Sequence, residues 1–456
     1  MTGQATDDDR RAGQAGAAAS APNDTPPAVS APAGQATRIG PLVKQSLPLV
    51  FACVVAFLLE HGALEMIGGR DHGSPLMQGL FSVQEVYRYA VSAWPRELVP
   101  RYTVLVHIDP DMDATATGLS NNVCLQREYL ARLLPAIAER DPALIVIDKY
   151  FTRTGCTLPE PTAALQQAIA SVGARLPVVV GLSVDERASA GEANRRLPPA
   201  LVAPLGFPPS PSLREGIVNL DVMPRRIPLG WTVRYTADAK PEWRNGIALE
   251  AALVREPKLL AKAPRLQRLK DERDNPLTSM IEEGLFNVLQ ASDFLCTDKT
   301  TAPRFAQPCA HMQRSGADPT YLRGRIAVLG ETGGSVDRHE STLIGNVAGT
   351  VLQANYVEAL LDGRYFVPVP EWVDYLVGLL LFVALELALR PAGPWRVLVR
   401  VAVLLGLTFL LLALTARFLG YYVDPAVSVL VLVFLLIGWL RDSIGHTEKE
   451  KRDEKA

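Results

Sequence analysis

The chain has 456 residues, room for two or three units of ordinary domain size. Its 46 Lys and Arg nearly balance 48 Asp and Glu, giving a formal net charge of -2, which excludes a polybasic nucleic-acid binder whose affinity rests on neutralising phosphates. Charged residues make up 21%, below the ~25% of soluble domains, and the mean hydropathy is positive, so the average hides strongly apolar compartments.

Residues 1–45 are built from Ala, Gly, Pro, Thr, Ser and Gln, with an acidic run at Asp7–Asp9. That composition buries too little apolar surface to offset chain entropy, and it predicts a disordered cytoplasmic tail. It is also too long and Pro-rich to open an ordinary cleaved signal peptide. The first apolar block, Leu47–Leu59, is shorter than the ~20 residues that cross a bilayer core, and extending it to Ile67 takes in Glu60, His61 and Glu65. Residues 47–67 read as a retained signal-anchor helix with those side chains near an interface or facing other helices. A cleaved hydrophobic region and a buried helix are the alternatives.

Thr103–Ile108 is a run of branched apolar residues that predicts a buried strand ending at Asp109. In Arg127–Arg140, Leu130, Leu133, Leu134, Ile137 and Ala138 recur on one helical face. Leu144–Ile147 predicts a second buried strand, Pro161–Val172 a helix with Pro in its first turn, and Pro177–Leu182 a third strand. Strand and helix in alternation predict an α/β domain, a largely parallel sheet flanked by helices. Further on, Ile217–Leu220 and Trp231–Tyr235 read as strands around a turn, Ile247–Arg255 as a helix, and the charged stretch Lys258–Asn275 as exposed. Arg325–Gly330 predicts another buried strand, and Gly349–Asp362 a helix stopped by Gly363 that leads straight into the membrane.

Residues 372–389, 397–416 and 423–440 are apolar stretches of membrane-spanning length, separated by turns holding Pro391, Gly393, Pro394 and Gly420. Trp372, Tyr375, Trp395, Tyr421, Tyr422 and Trp439 sit at their ends, as in an interfacial aromatic belt. They predict an all-α transmembrane block of three helices. Arg390, Arg396 and Arg400 flank the first hairpin and Arg441, Lys449, Lys451, Arg452 and Lys455 follow the last stretch, whereas the other hairpin offers only Arg417. The positive-inside rule then places the basic ends, and both termini, in the cytoplasm and residues 70–368 outside. Asp374 and Glu386 fit interfacial snorkelling and an i,i+4 pair with Arg390.

Apart from Cys53 in the first apolar block, the chain holds four cysteines, Cys124, Cys156, Cys296 and Cys309, an even number in an oxidising compartment. Cys124 with Cys156 and Cys296 with Cys309 are the local pairings; reduced, buried thiols are the alternative. Asp109, Asp111 and Asp113 have the spacing of a calcium loop, yet Ala114 stands where its turn needs Gly and Ser120 where it needs a bidentate Glu. Gly330, Gly333 and Gly334 match no phosphate-binding fingerprint, leaving a tight turn or backbone amides facing a ligand. His72, His107, His311 and His339 are scattered, without zinc spacing or a legible hydrolase triad. No catalytic residue, metal or cofactor is expected. Ligands of open α/β sheets bind at the carboxyl ends of the strands, which makes Asp109, Asp148, Glu331 and Asp337 the candidate ligand-binding set.

These segments, in this order, resemble the type-two CHASE domain family. The landmarks are VLVHID with Asp109, ALIVIDKYF with Asp148, and VNLDVMPRRIPL with Asn219, Asp221, Arg225, Arg226 and Pro228. They continue with Leu249 and Glu250, GRIAVLGET with Gly330, Asp337, and VLQANYVEALLDGRYF with Asn355, Leu361 and Gly363. In place of a Trp- and Pro-containing segment common in the family stands Gly118–Gln126, which leaves only Arg127. The resemblance implies an extracytoplasmic sensory domain of a bacterial inner-membrane receptor, followed by three membrane helices. Sixteen residues follow Leu440, too few for the family's usual output domain, so a separate signalling partner protein is the expectation. The lipid bilayer, that partner and a small-molecule or protein signal are the expected contacts, with no nucleic acid. An envelope assembly factor that docks another extracytoplasmic protein is the second reading.

Overall fold

The computed structural model describes residues 98–108, 122–151, 156–185, 200–202, 212–220, 226–235, 239–295, 319–332, 338–341, 345–388, 394–423 and 428. The tail at 1–45, the signal anchor at 47–67, nearly all of the third apolar stretch, and Asp109, Asp337, Cys296 and Cys309 lie outside the described residues.

In chain order the first elements are β1 (Thr103–His107), α1 (Val123–Ala138), β2 (Leu144–Tyr150), α2 (Pro159–Gly173), β3 (Val178–Leu182), β4 (Val184–Asp185), β5 (Ala200–Val202) and β6 (Leu213–Ile217). There follow β7 (Gly230–Arg234), β8 (Glu242–Asn245), α3 (Ile247–Arg255), α4 (Leu259–Lys262), α5 (Pro264–Glu272), β9 (Leu277–Thr278), β10 (Val288–Gln290) and β11 (Ile326–Gly330). The last are β12 (Arg338–Ser341), β13 (Gly345–Ala348), α6 (Gly349–Asp362), β14 (Tyr365–Pro368), α7 (Glu371–Ala388), α8 (Pro394–Leu414) and β15 (Tyr421–Tyr422).

The central sheet runs β10-β1-β11-β2-β3-β6, every pair parallel. Its inner strands β1, β11, β2 and β3 are mostly apolar because both faces are covered, and the period of two sorts their side chains. Val104, Val106, Ile145, Ile147, Val178, Val180, Ala327 and Leu329 meet the stripe of α1 and α2. Leu105, Leu144, Val146, Val179, Ile326 and Val328 meet α3 and α6 on the other face. This is the layered, largely parallel α/β domain read from the sequence.

Several local expectations shift. Helix α1 starts four residues ahead of Arg127, because Asn122 caps it by accepting a hydrogen bond from the Leu125 amide at 3.1 Å. Arg127 is buried and donates to the Thr162 hydroxyl at 2.6 Å. The pair of strands expected around a turn is instead split between two sheets. β6, spelled LREGI, joins β3, while β7 pairs with β8 in the sheet β4-β5-β7-β8. The charged 258–275 stretch is not simply exposed. It folds into α4 and α5, whose Leu259, Leu266 and Leu269 are buried while their charges face outward.

Helix α6 does not run directly into a membrane helix, since β14 stands between it and α7. In α7, Asp374, Gly378, Leu381, Phe382 and Leu385 form an inner stripe, and Trp372, Leu376, Leu380, Val383 and Leu387 an exposed apolar one. Asp374 is therefore buried rather than snorkelling, since the i+4 and i+7 spacing places it on the inward face. Trp395–Leu419, 25 residues spanning α8 and a π-helical last turn, is long and apolar enough to cross a membrane; the apolar run Trp372–Leu385 in α7 is shorter.

Candidate functional site

Because the central strands are parallel, their carboxyl ends emerge on one edge. The order of strands breaks there: the chain goes from β1 to β2 and only much later inserts β11 between them. Such a break opens the crevice where ligands of α/β sheets bind.

The side chains at that break are polar and mutually engaged. Lys149, at the end of β2, forms an ion pair with Glu331, which follows β11, and both remain partly exposed. The Asp148 carboxylate accepts a hydrogen bond from the Thr350 hydroxyl at 2.7 Å. His107 closes β1 opposite Gly330, and its Nδ1 accepts the Thr332 amide proton at 3.0 Å, so that lone pair is committed. Thr350 lies in the first turn of α6, where backbone N–H groups and the helix dipole favour a carboxylate. Gly330 permits this approach, since a Cβ there would collide with the Thr350 side chain. The glycine-rich exit thus admits a helix terminus.

Of the four predicted ligand residues, Asp148 and Glu331 come together at this edge, the latter through Lys149; Asp109 and Asp337 lie outside the described residues. The Cys124–Cys156 disulfide is formed and ties the first turn of α1 to the segment entering α2. Sequence reasoning passed over Lys149, Thr350 and Thr332, whose partners are far away in the chain. It delimited α6 as a helix but passed over what its polar residues hold. Every residue from Gly349 to Leu360 is buried, so this helix has no solvent face, yet it carries Thr350, Gln353, Asn355 and Glu358. At 100° per residue these four point in four directions, and each grips a different segment. Gln353 donates to the Val218 carbonyl beyond β6 at 2.8 Å. Asn355 accepts from the Ile281 amide at 2.6 Å and donates back to its carbonyl at 3.2 Å. Glu358 accepts from the amides that open β1. Polar residues all round an otherwise apolar helix were the signal that could have marked it.

Other landmarks are architectural. Leu249 is core, the Asn219 side chain bridges to Val184 at 2.8 Å, and Gly363 takes the left-handed conformation that ends α6. Lys149, Glu331 and Asp148 thus set charges of both signs beside a helix terminus, chemistry able to pair with a small polar or charged group. Among the described residues, no three His, Cys, Asp or Glu side chains gather to hold a metal ion.

No curated protein and no solved structure matches this chain. The family model of the CHASE2 domain matches residues 67–388.

Proposed function

This chain belongs to the CHASE2 domain family, an extracellular sensory module, and from that premise we propose that it is a bacterial inner-membrane sensor that binds its signal without transforming it. The signal is a small polar molecule taken at the Asp148–Glu331 edge. A separate signalling partner protein reads the resulting state through the membrane helices. The observation that carries this reading is α6, which touches the edge through Thr350 at one end and runs into β14 and α7 at the other. A ligand that withdraws Asp148 from Thr350 loosens the first turn of α6. It shifts the helix only as far as it binds the two positions with different affinity.

The exposed apolar stripes on α7 and α8 support a bilayer as their surroundings, and the arginine distribution supports periplasmic residues 70–368 with cytoplasmic termini. A reporter active only outside the cytoplasm gives signal when fused after Pro368 and none when fused after Arg441. The reverse pattern would overturn the topology. For the site, we expect a panel of small polar and charged metabolites, screened by thermal shift on the full chain in detergent, to contain a class that raises the midpoint of wild type but not of Asp148→Ala. If no class shifts wild type while a stoichiometric extracytoplasmic protein co-purifies, the assembly-factor reading takes its place.

A further inference from the structure

The strand that leads into the membrane helices, β14, is the middle of a three-stranded sheet ordered β15-β14-β9. Its outer neighbours come from distant parts of the chain. On one side Tyr365 and Phe366 pair antiparallel with Thr278 and Leu277 of the sensory domain. On the other, Val367 and Pro368 pair parallel with Tyr421 and Tyr422, in the turn that leaves α8. The Val367 amide donates to the Gly420 carbonyl at 2.9 Å and the Val369 amide to the Tyr422 carbonyl at 3.0 Å. An apolar seam of Leu277, Phe366, Leu412, Ala416, Tyr422 and Val423 fills the space beneath.

Each edge of this sheet is fastened to the domain by a polar side chain. Beyond β9, the Ile281 backbone is clasped by Asn355 of α6, and the Thr278 hydroxyl donates to the Arg364 carbonyl at 2.7 Å. At β15, the Arg265 guanidinium of α5 lies 5.3 Å from the centre of the Tyr421 ring. Gly420 makes room for it: its φ is +67° and any Cβ would run into that guanidinium. Peptide linkage alone would connect α6 to α7 and leave the far end of the hairpin free. The sheet removes that freedom.

We infer that β9, β14 and β15 form the transmission joint of this protein, which makes the exit turn of α8 follow α6 along with the entry of α7. The assignment rests on the sensory reading. It names the two residues, Asn355 and Arg265, that position the joint without touching the proposed ligand edge. A shift of α6 then displaces both outer ends of the α7–α8 hairpin as one body, instead of tugging a single linker.

The test is hydrogen–deuterium exchange on the full chain in lipid nanodiscs, with no ligand added, so that a failure here is separable from a failure of the ligand screen. Asn355→Ala is expected to raise exchange about tenfold not only at 277–281 but also at 420–423, and Gly420→Val to raise it comparably at Val367 and Val369. Exchange that rises at 277–281 and stays at the wild-type rate at 420–423 would overturn the joint. A second variant guards against misfolding. Val367→Cys with Tyr421→Cys, register partners in the parallel pair, should cross-link in membranes under mild oxidation, and a pair that stays reduced overturns the assignment equally.

Discussion

Glu358→Ala is expected to cost about 3–5 kcal/mol of stability, at the upper end for a single substitution. The carboxylate is fully buried at the far end of α6. Its Oε1 accepts from the Tyr102 and Thr103 amides, both at 2.7 Å, and from the Thr103 hydroxyl at 2.8 Å, while Oε2 accepts from the Arg101 amide at 2.9 Å. Those amides open β1, a strand between β10 and β11 with no edge to solvent. Alanine leaves the donors unanswered, and each buried orphan costs about 1–3 kcal/mol, partly relieved where water enters. Glu358→Gln keeps the volume but turns an amide N–H toward backbone N–H groups, so it should recover only part of the loss. Partial burial, with the Asp362 carboxylate beside it, pushes the neighbouring Tyr102 phenol above its usual range. Denaturant midpoints of the three proteins in one detergent decide the order; an alanine variant within about 1 kcal/mol of wild type would refute the role given to Glu358.

The second large effect is removal of the Cys124–Cys156 disulfide. The cysteines are 32 residues apart, and closing a loop of that length in the unfolded chain is worth about 3–4 kcal/mol in the chain-entropy account. The bond pins the amino ends of α1 and α2 beside the Arg127–Thr162 hydrogen bond, on the same edge of the sheet as Asp148 and Glu331. Its loss should therefore loosen the proposed ligand edge as well as lower the midpoint. Cys124→Ala with Cys156→Ala should melt lower than wild type and lose less on adding reductant than wild type does, while reductant should bring wild type down toward the double variant. Wild type that is indifferent to reductant, with the bond shown to be reduced, would contradict this.

How much of this was legible depended on how far apart the interacting residues lie. Thr103–Ile108, Leu144–Ile147, Pro177–Leu182 and Arg325–Gly330 announced themselves because a strand covered on both faces reads as a near-continuous apolar run. Ile247–Arg255 and Gly349–Asp362 were delimited by their own composition and, for the latter, by Gly363. What composition could not carry was partnership. Asp148 meets Thr350 across 202 residues and Lys149 meets Glu331 across 182, so only the strand exits were visible. The two-residue strands β9 and β15 have no pattern of their own and exist only because β14 pairs with them. LREGI hid as a strand because its polar half reads as loop, and the stretch holding α4 and α5 hid because its few buried leucines are outnumbered by charges.

The position of β11 bears on how the chain is made. β1 and β2 are synthesised early, but the strand that fills the space between them arrives roughly 175 residues after β2 ends, a wait of about 10–35 s at ordinary elongation rates. Until then both present unpaired parallel edges, the kind of surface that recruits other strands. The domain cannot close strand by strand as it emerges. Its central pairing is therefore of the long-range kind that slows folding, unlike that of a protein whose neighbours in space are neighbours in time.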